Sequence, residues 1–235
     1  YDTNDYFKID PMLGSNEDFK DLVDSLHQND MKIILDGVFS HVGKDSRYFN
    51  YSGIYGENCG AYRTRESLYF DWFKFIKYPK SYQSWWGLID LPEIDKNQES
   101  FQEFIYGDEG VLAFWDTFKV DGWRLDVADE LPNLFIQGVR ERLNKSQEKV
   151  LIGEVWEDAS NKVAYGEEKE YVSKPVLHSV MNYPLRELIL DLVNQNKSVE
   201  VAVQELMQLK ENYPKHFFEQ LLNNIGTHDT ERLMT

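Results

Sequence analysis

Apolar runs of strand length recur along the chain, and each stops at a polar or charged residue. Lys32–Phe39 (KIILDGVF) leads into Ser40 and His41, and Val120–Glu130 (VDGWRLDVADE) runs from an apolar start into carboxylates. Val150–Trp156 (VLIGEVW) holds Glu154, Leu177–Asn182 (LHSVMN) ends at Asn182, and Leu221–Asp229 (LLNNIGTHD) ends at His228 and Asp229. Between the runs, apolar residues return at helical spacing. Ser15 and Asp18 form a capping-box pair ahead of Phe19, Leu22, Val23 and Leu26. Glu99–Tyr106 and Gly110–Phe118 are helix-like, and Pro132 precedes Phe135, Ile136, Val139 and Leu143. Leu185, Leu188, Ile189, Leu192 and Val193 stripe one further helix, and Val199, Val203, Leu206 and Leu209 another behind Ser198. From Asp126 to Glu154 is 28 residues, and from Glu154 to Asn182 again 28. That is about the length of one strand–helix unit. The alternation predicts an α/β fold with a parallel sheet. Such sheets bind ligands at the carboxyl ends of their strands, where Asp126, Glu154 and Asp229 all lie.

In an extended Val120–Val127, Gly122, Arg124 and Asp126 share one face, and Trp123 and Leu125 the other. An Arg and an Asp on a buried face need a reason, because an unpaired buried charge is costly. A structural ion pair and a catalytic site both fit that stretch taken alone. Val42–Asn97 breaks the rhythm, with no helix or strand period through it. Between Tyr48 and Trp86 it holds 14 of the chain's 34 aromatic residues. A structureless loop of this length is improbable, so a small inserted subdomain with an aromatic core is expected. Trp85 and Trp86 are the aromatics best suited to a flat apolar ligand face. Glu157–Ser173 reads as a charged loop or short helix.

The chain's 235 residues suffice for one α/β domain. With 41 acidic and 25 basic residues its formal net charge is −16, which argues against nucleic acid or an anionic membrane as partner. A neutral substrate is compatible with that charge. The single cysteine, Cys59, excludes an intrachain disulfide and leaves the compartment, cytoplasmic or secreted, open. No apolar run reaches the roughly 18 residues of a membrane span. The chain begins at Tyr1 without Met and ends just after a catalytic-looking run, so a fragment of a longer chain is expected.

Three carboxylates at strand ends, with an Arg and two His, suit few chemistries. Metal binding is one, but the candidates lie on separate strands without HExxH or DxDxDG spacing. Glycoside hydrolysis is another, needing one carboxylate to attack the anomeric carbon and a second to protonate the leaving oxygen. Arg124 is placed to hold Asp126 ionised. Glu154, among Ile152, Val155 and Trp156, has the apolar surroundings a general acid needs. Taken singly, each residue has a plain reading: Asp at a strand end as structural, His41 as a satisfied hydrogen-bonder, Glu130 as a helix N-terminal charge.

Together, DGVFSH (Asp36–His41), GWRLDVADE (Gly122–Glu130), GEVW (Gly153–Trp156) and NNIGTHD (Asn223–Asp229) resemble the four signature regions of the alpha-amylase family, glycoside hydrolase family 13, in the family's order. LPEID (Leu91–Asp95) resembles its fifth region, and YDTNDYFKIDPMLG its loop between barrel strands two and three. The resemblance is greatest to the neopullulanase, cyclomaltodextrinase, maltogenic amylase and amylopullulanase branch. It implies a (β/α)8 TIM barrel with a domain inserted after strand three, here incomplete and matching strands three to seven. The implied division is residues 1–42 (barrel, strand three), 43–98 (inserted domain) and 99–235 (strands four to seven). It implies a retaining mechanism on an α-glucan oligosaccharide or polysaccharide. Asp126 matches the nucleophile, Glu154 the general acid/base and Asp229 the third carboxylate. His41, His228 and Tyr1 match residues that hold the sugar, Arg124 the Arg beside the nucleophile, and Asp36 the partner of that Arg. Glu130 stands where this branch has Glu, a sign of mixed α-1,4 and α-1,6 handling. No cofactor is required for the chemistry and no metal ligand is assigned. Ser40 stands where calcium-dependent members have Asn, which puts the structural calcium in doubt. The missing strands leave open edges through which copies could self-associate, and a weakly active or inactive piece is expected. A transglycosylase, an α-1,6-glucosidase and a non-catalytic amylase-fold binding protein are the alternatives.

Overall fold

The computed structural model describes residues 1–146, 149–174 and 176–232. The chain forms two compact units. One comprises Tyr1–Asp126 with Leu134–Val150, and the other Val127–Asn133 with Leu151–Thr235.

In the first unit, helix α1 (Asn16–Gln28) starts at the expected capping box. Ser15 Oγ accepts from Asp18 N–H, and the Asp18 carboxylate accepts from Ser15 N–H at 2.7 Å. Strand β1 (Ile34–Gly37) then pairs in parallel with β4 (Gly122–Leu125), with Asp36 directly opposite Arg124. Side chains at opposed positions share a face, so this register alone brings the two charges together. Gly122 is required by close approach: a Cβ there would stand 2.3 Å from the Val150 carbonyl oxygen. Behind the strands Phe39 is fully buried, with rings of Tyr6, Trp123 and Phe135 about it. Burying such a side chain contributes about 2–3 kcal/mol. Helices α2 (Glu99–Tyr106) and α3 (Val111–Asp116) complete the packing, together with residues 134–143 of α4 (Asn133–Leu143).

The aromatic-rich segment after His41 contains only two short strands, β2 (Phe75–Lys77) and β3 (Ser81–Tyr82), and single turns of 3-10 helix at Phe70–Trp72 and Trp85–Gly87. Its aromatics form their own core. Phe49 is fully buried against Phe73, Phe75 and Tyr82, and Tyr48 against Tyr69 and Trp72. Ring packing replaces a sheet as the source of stability there.

In the second unit, β5 (Val150–Gly153) pairs in parallel with β8 (Ser179–Val180). Helices α5 (Tyr183–Val193), α6 (Val199–Asn212) and α7 (Lys215–Phe218) follow. Three expectations are corrected here. Glu157–Ser173 is neither helix nor plain loop: it carries a hairpin of β6 (Val163–Ala164) and β7 (Glu167–Glu168). The run from Leu221 pairs only at Leu222, which bridges Met181 in parallel. Beyond it, side chains take the backbone groups a ladder would use. Arg186 Nε donates to the Ile225 carbonyl, and Thr227 N–H donates to Thr230 Oγ1. Helix α6 also differs from its expected stripe. It buries Ala202 and Leu209, while Val199 and Val203 are exposed. Among the described residues no helix is long and apolar enough to cross a membrane.

Candidate active site

The ends of β1 and β4 gather the first group. Arg124 Nη1 donates to both oxygens of Asp36, at 2.7 and 2.8 Å, and to Asp126 Oδ1 at 2.9 Å. Asp126 is buried, and its N–H reaches the Gly37 carbonyl oxygen at 3.2 Å, holding it at the strand end. Tyr1 OH donates to Asp36 Oδ2 at 3.1 Å. Burial and the neighbouring Asp36 carboxylate push the Tyr1 phenol above its ordinary range, so it remains a donor. His41 Nε2 lies 3.1 Å from the Tyr1 carbonyl oxygen. A carbonyl only accepts, so Nε2 carries the proton. Burial holds the His41 pKa down to about 4, and the ring is neutral at pH 7. The Trp85 ring lies 4.8 Å from that of His41, and Trp86 stacks on Trp85 at 5.2 Å. Trp86 is 75% exposed. Five of the sequence-derived residues, Tyr1, Asp36, His41, Arg124 and Asp126, thus form one connected group.

The His41 shift has a consequence for stability. Its folded pKa lies below the unfolded value of about 6.5, so at lower pH the unfolded chain binds the extra proton. The contribution is present above about pH 6.5 and lost as pH falls towards 4. Urea unfolding between pH 7 and 4 should show a smaller loss of stability in His41→Gln than in the wild type. Equal pH slopes would contradict a buried neutral His41.

The second group lies at the end of β5. Glu154 is buried, and both carboxylate oxygens accept hydrogen bonds: Oε2 from Val127 N–H at 2.7 Å, and Oε1 from Trp156 Nε1–H at 3.1 Å. Its carbonyl oxygen accepts from Ala128 N–H at 3.1 Å. Val127 has φ +39°, a left-handed conformation that a β-branched residue adopts only under constraint. With that φ, two successive N–H groups meet Glu154. Trp156 also stacks on Tyr183 at 4.0 Å and 10°. In the sequence, the one sign that Trp156 meets Glu154 is its spacing of two on a strand-like run, where such residues share a face.

Asp229 lies beside His228, with Nε2 and Oδ2 3.1 Å apart, and both side chains are exposed. Ser40 is fully buried, and its Oγ makes no hydrogen bond. One neutral hydroxyl is a poor donor set for calcium, which takes several oxygens and usually carboxylates. Among the described residues no three His, Cys, Asp or Glu side chains gather to hold a metal.

A family model described as the alpha amylase catalytic domain matches residues 1–235, the whole chain. The chain belongs to the alpha-amylase catalytic-domain family. Among curated alpha-amylase relatives, an amylopullulanase of Thermoanaerobacterium thermosulfurigenes is 36% identical over 266 residues, covering 100% of this chain and 14% of that protein. A cyclomaltodextrinase of Thermoanaerobacter pseudethanolicus is 30% identical, again over 100% of this chain and 39% of its own length. Among solved structures, a cyclic alpha-maltosyl-(1→6)-maltose hydrolase from Arthrobacter globiformis superposes with a TM-score of 0.84 at 26% identity, over 99% of this chain and 50% of that one. The chain therefore spans well under two thirds of the relatives it matches. Its parallel strands and helices are those of an alpha-amylase catalytic domain, part of a TIM barrel.

Proposed function

We propose that the protein carrying this chain is a retaining glycoside hydrolase of α-glucans, cutting α-1,4 and, as a second activity, α-1,6 glucosidic bonds. The observation that carries the reading is the Arg124 guanidinium shared between Asp36 and Asp126 at the ends of adjacent parallel strands. It suits an ionised, oriented nucleophile, as does the chain's membership of the family. In this reading an Asp126 oxygen attacks the anomeric carbon while Glu154 gives its proton to the glycosidic oxygen, and the leaving sugar departs. Glu154 then takes a proton from water, whose oxygen displaces Asp126 from the covalent glycosyl-enzyme. Asp229, His41, His228 and Tyr1 bind the hydroxyls of the sugar being transferred. Residues 43–98 act as the inserted domain between barrel segments 1–42 and 99–235, and the chemistry needs no cofactor. Names of relatives, amylopullulanase and cyclomaltodextrinase, favour starch-type chains, pullulan and cyclodextrins as substrates.

A sugar in place of water as acceptor gives transglycosylation by the same steps. Product analysis with maltotriose, pullulan, cyclodextrin and isomaltose separates the readings. Hydrolysis of the first three is expected. Attack on isomaltose alone would favour an α-1,6-glucosidase, and no attack on any would favour a binding protein.

A further inference from the structure

The β6–β7 hairpin turns through two residues, Tyr165 and Gly166, with φ +53° and +78°. Two successive left-handed residues make the tight hairpin turn that Asn-Gly fills best. A bulky aromatic at the first position strains the backbone, and strain of this kind gathers at functional sites. Tyr165 is nevertheless 71% exposed, so the hydrophobic core gives no reason for it. Its hydroxyl donates to Glu130 Oε1 at 3.1 Å. Glu130 closes the 3-10 turn Ala128–Glu130, the turn whose Ala128 N–H is bound to the Glu154 carbonyl.

The hairpin is fixed to that turn rather than merely near it. Lys169, whose side chain is 2% exposed, donates to the Leu131 carbonyl at 3.0 Å. Asn133 Nδ2 donates to the Glu168 carbonyl at 2.8 Å, and Asn133 N–H to Glu167 Oε2 at 3.2 Å. Tyr171 OH and Lys162 Nζ both reach the Asp129 carboxylate, at 2.9 and 3.1 Å. These bonds thus join the Glu154 backbone, the Glu130 carboxylate and an exposed ring through one turn.

We propose that this turn and its hairpin form the leaving-group side of the site, and that Tyr165 is a specificity-determining residue. It aligns Glu130 and offers a ring face to a glucosyl unit beyond the bond being cut. The proposal rests on the catalytic reading above: the group that protonates the leaving oxygen sits next to the leaving sugar, so residues on its turn face that sugar. A sugar's C–H face packs on an aromatic ring, and a carboxylate accepts from its hydroxyls.

The test compares two substrates of the full-length protein, maltotriose and α-maltosyl fluoride. Fluoride departs without a sugar on the leaving side. Tyr165→Asn gives the turn its preferred residue, so folding is kept, and Tyr165→Phe keeps the ring while losing the bond to Glu130. The ratio of kcat/KM on maltotriose to that on α-maltosyl fluoride is expected to fall on the order of tenfold in Tyr165→Asn, with Phe between it and the wild type. An unchanged ratio, including an equal fall on both substrates, overturns the assignment of Tyr165. A folded wild type inactive on both substrates overturns the catalytic reading itself, which separates the two failures.

Discussion

Replacing Asp126 by Asn, or Glu154 by Gln, is expected to lower kcat/KM on maltooligosaccharides by at least about three orders of magnitude, with the fold retained. The amides keep size and hydrogen-bonding shape but remove the lone pair that attacks carbon in one case and the proton that is given in the other. The two should then part company on a substrate whose leaving group needs no proton. On α-maltosyl fluoride the Glu154→Gln enzyme should form the glycosyl-enzyme readily and stall at its hydrolysis, giving a burst. Asp126→Asn should stay inactive, because no leaving group replaces a nucleophile. Circular dichroism and a urea midpoint check the fold. A merely tenfold loss for either variant would remove that residue from its role.

Arg124→Met is expected to have the largest effect on stability. One guanidinium nitrogen serves Asp36 and Asp126 together, and Asp126 is buried. Removing the cation leaves two carboxylates facing one another. Breaking a buried pair in this way costs about 3–5 kcal/mol, and the partial exposure of Asp36 brings the expectation towards the lower figure. Urea unfolding measures it. Arg124→Lys should recover only part of the loss, because its ammonium sits on a flexible four-carbon stem and lacks the planar, rigid group that holds Nη1 where it meets both carboxylates. Full recovery by Lys would make the geometry of the guanidinium irrelevant.

How far the sequence was legible depends on the range of the interaction. Strands β1, β4, β5 and β8 lie within their apolar runs, because strands of a parallel sheet are written as near-continuous apolar stretches. The Ser15–Asp18 capping box is local and appears as read. The partnership of Asp36 with Arg124 lies 88 residues apart and becomes visible only through the register of β1 and β4. Val127 belongs to an apolar run, yet takes a left-handed φ where its N–H meets Glu154. Nothing in its side chain announces that. The β6–β7 hairpin lies in a charged stretch without alternation, and side-chain bonds from Asn133, Asp129 and Lys169 hold it. Its one local sign was Tyr165–Gly166, a glycine-containing pair between short β-forming segments. The run from Leu221 shows the converse error, since its apolar start continues into Asn, Gly and Thr whose backbone is taken up by side chains.

The most direct test of the whole account is to trap the covalent intermediate. The full-length protein is incubated with a fluorinated α-glucosyl fluoride, whose extra fluorine slows both steps while the fluoride leaving group favours formation of the glycosyl-enzyme. The protein is then digested and the labelled peptide sequenced by mass spectrometry. One sugar per chain, esterified to Asp126, is expected. A label on Glu154 or Asp229, or an active enzyme that releases the β-anomer first and never carries a label, would contradict it.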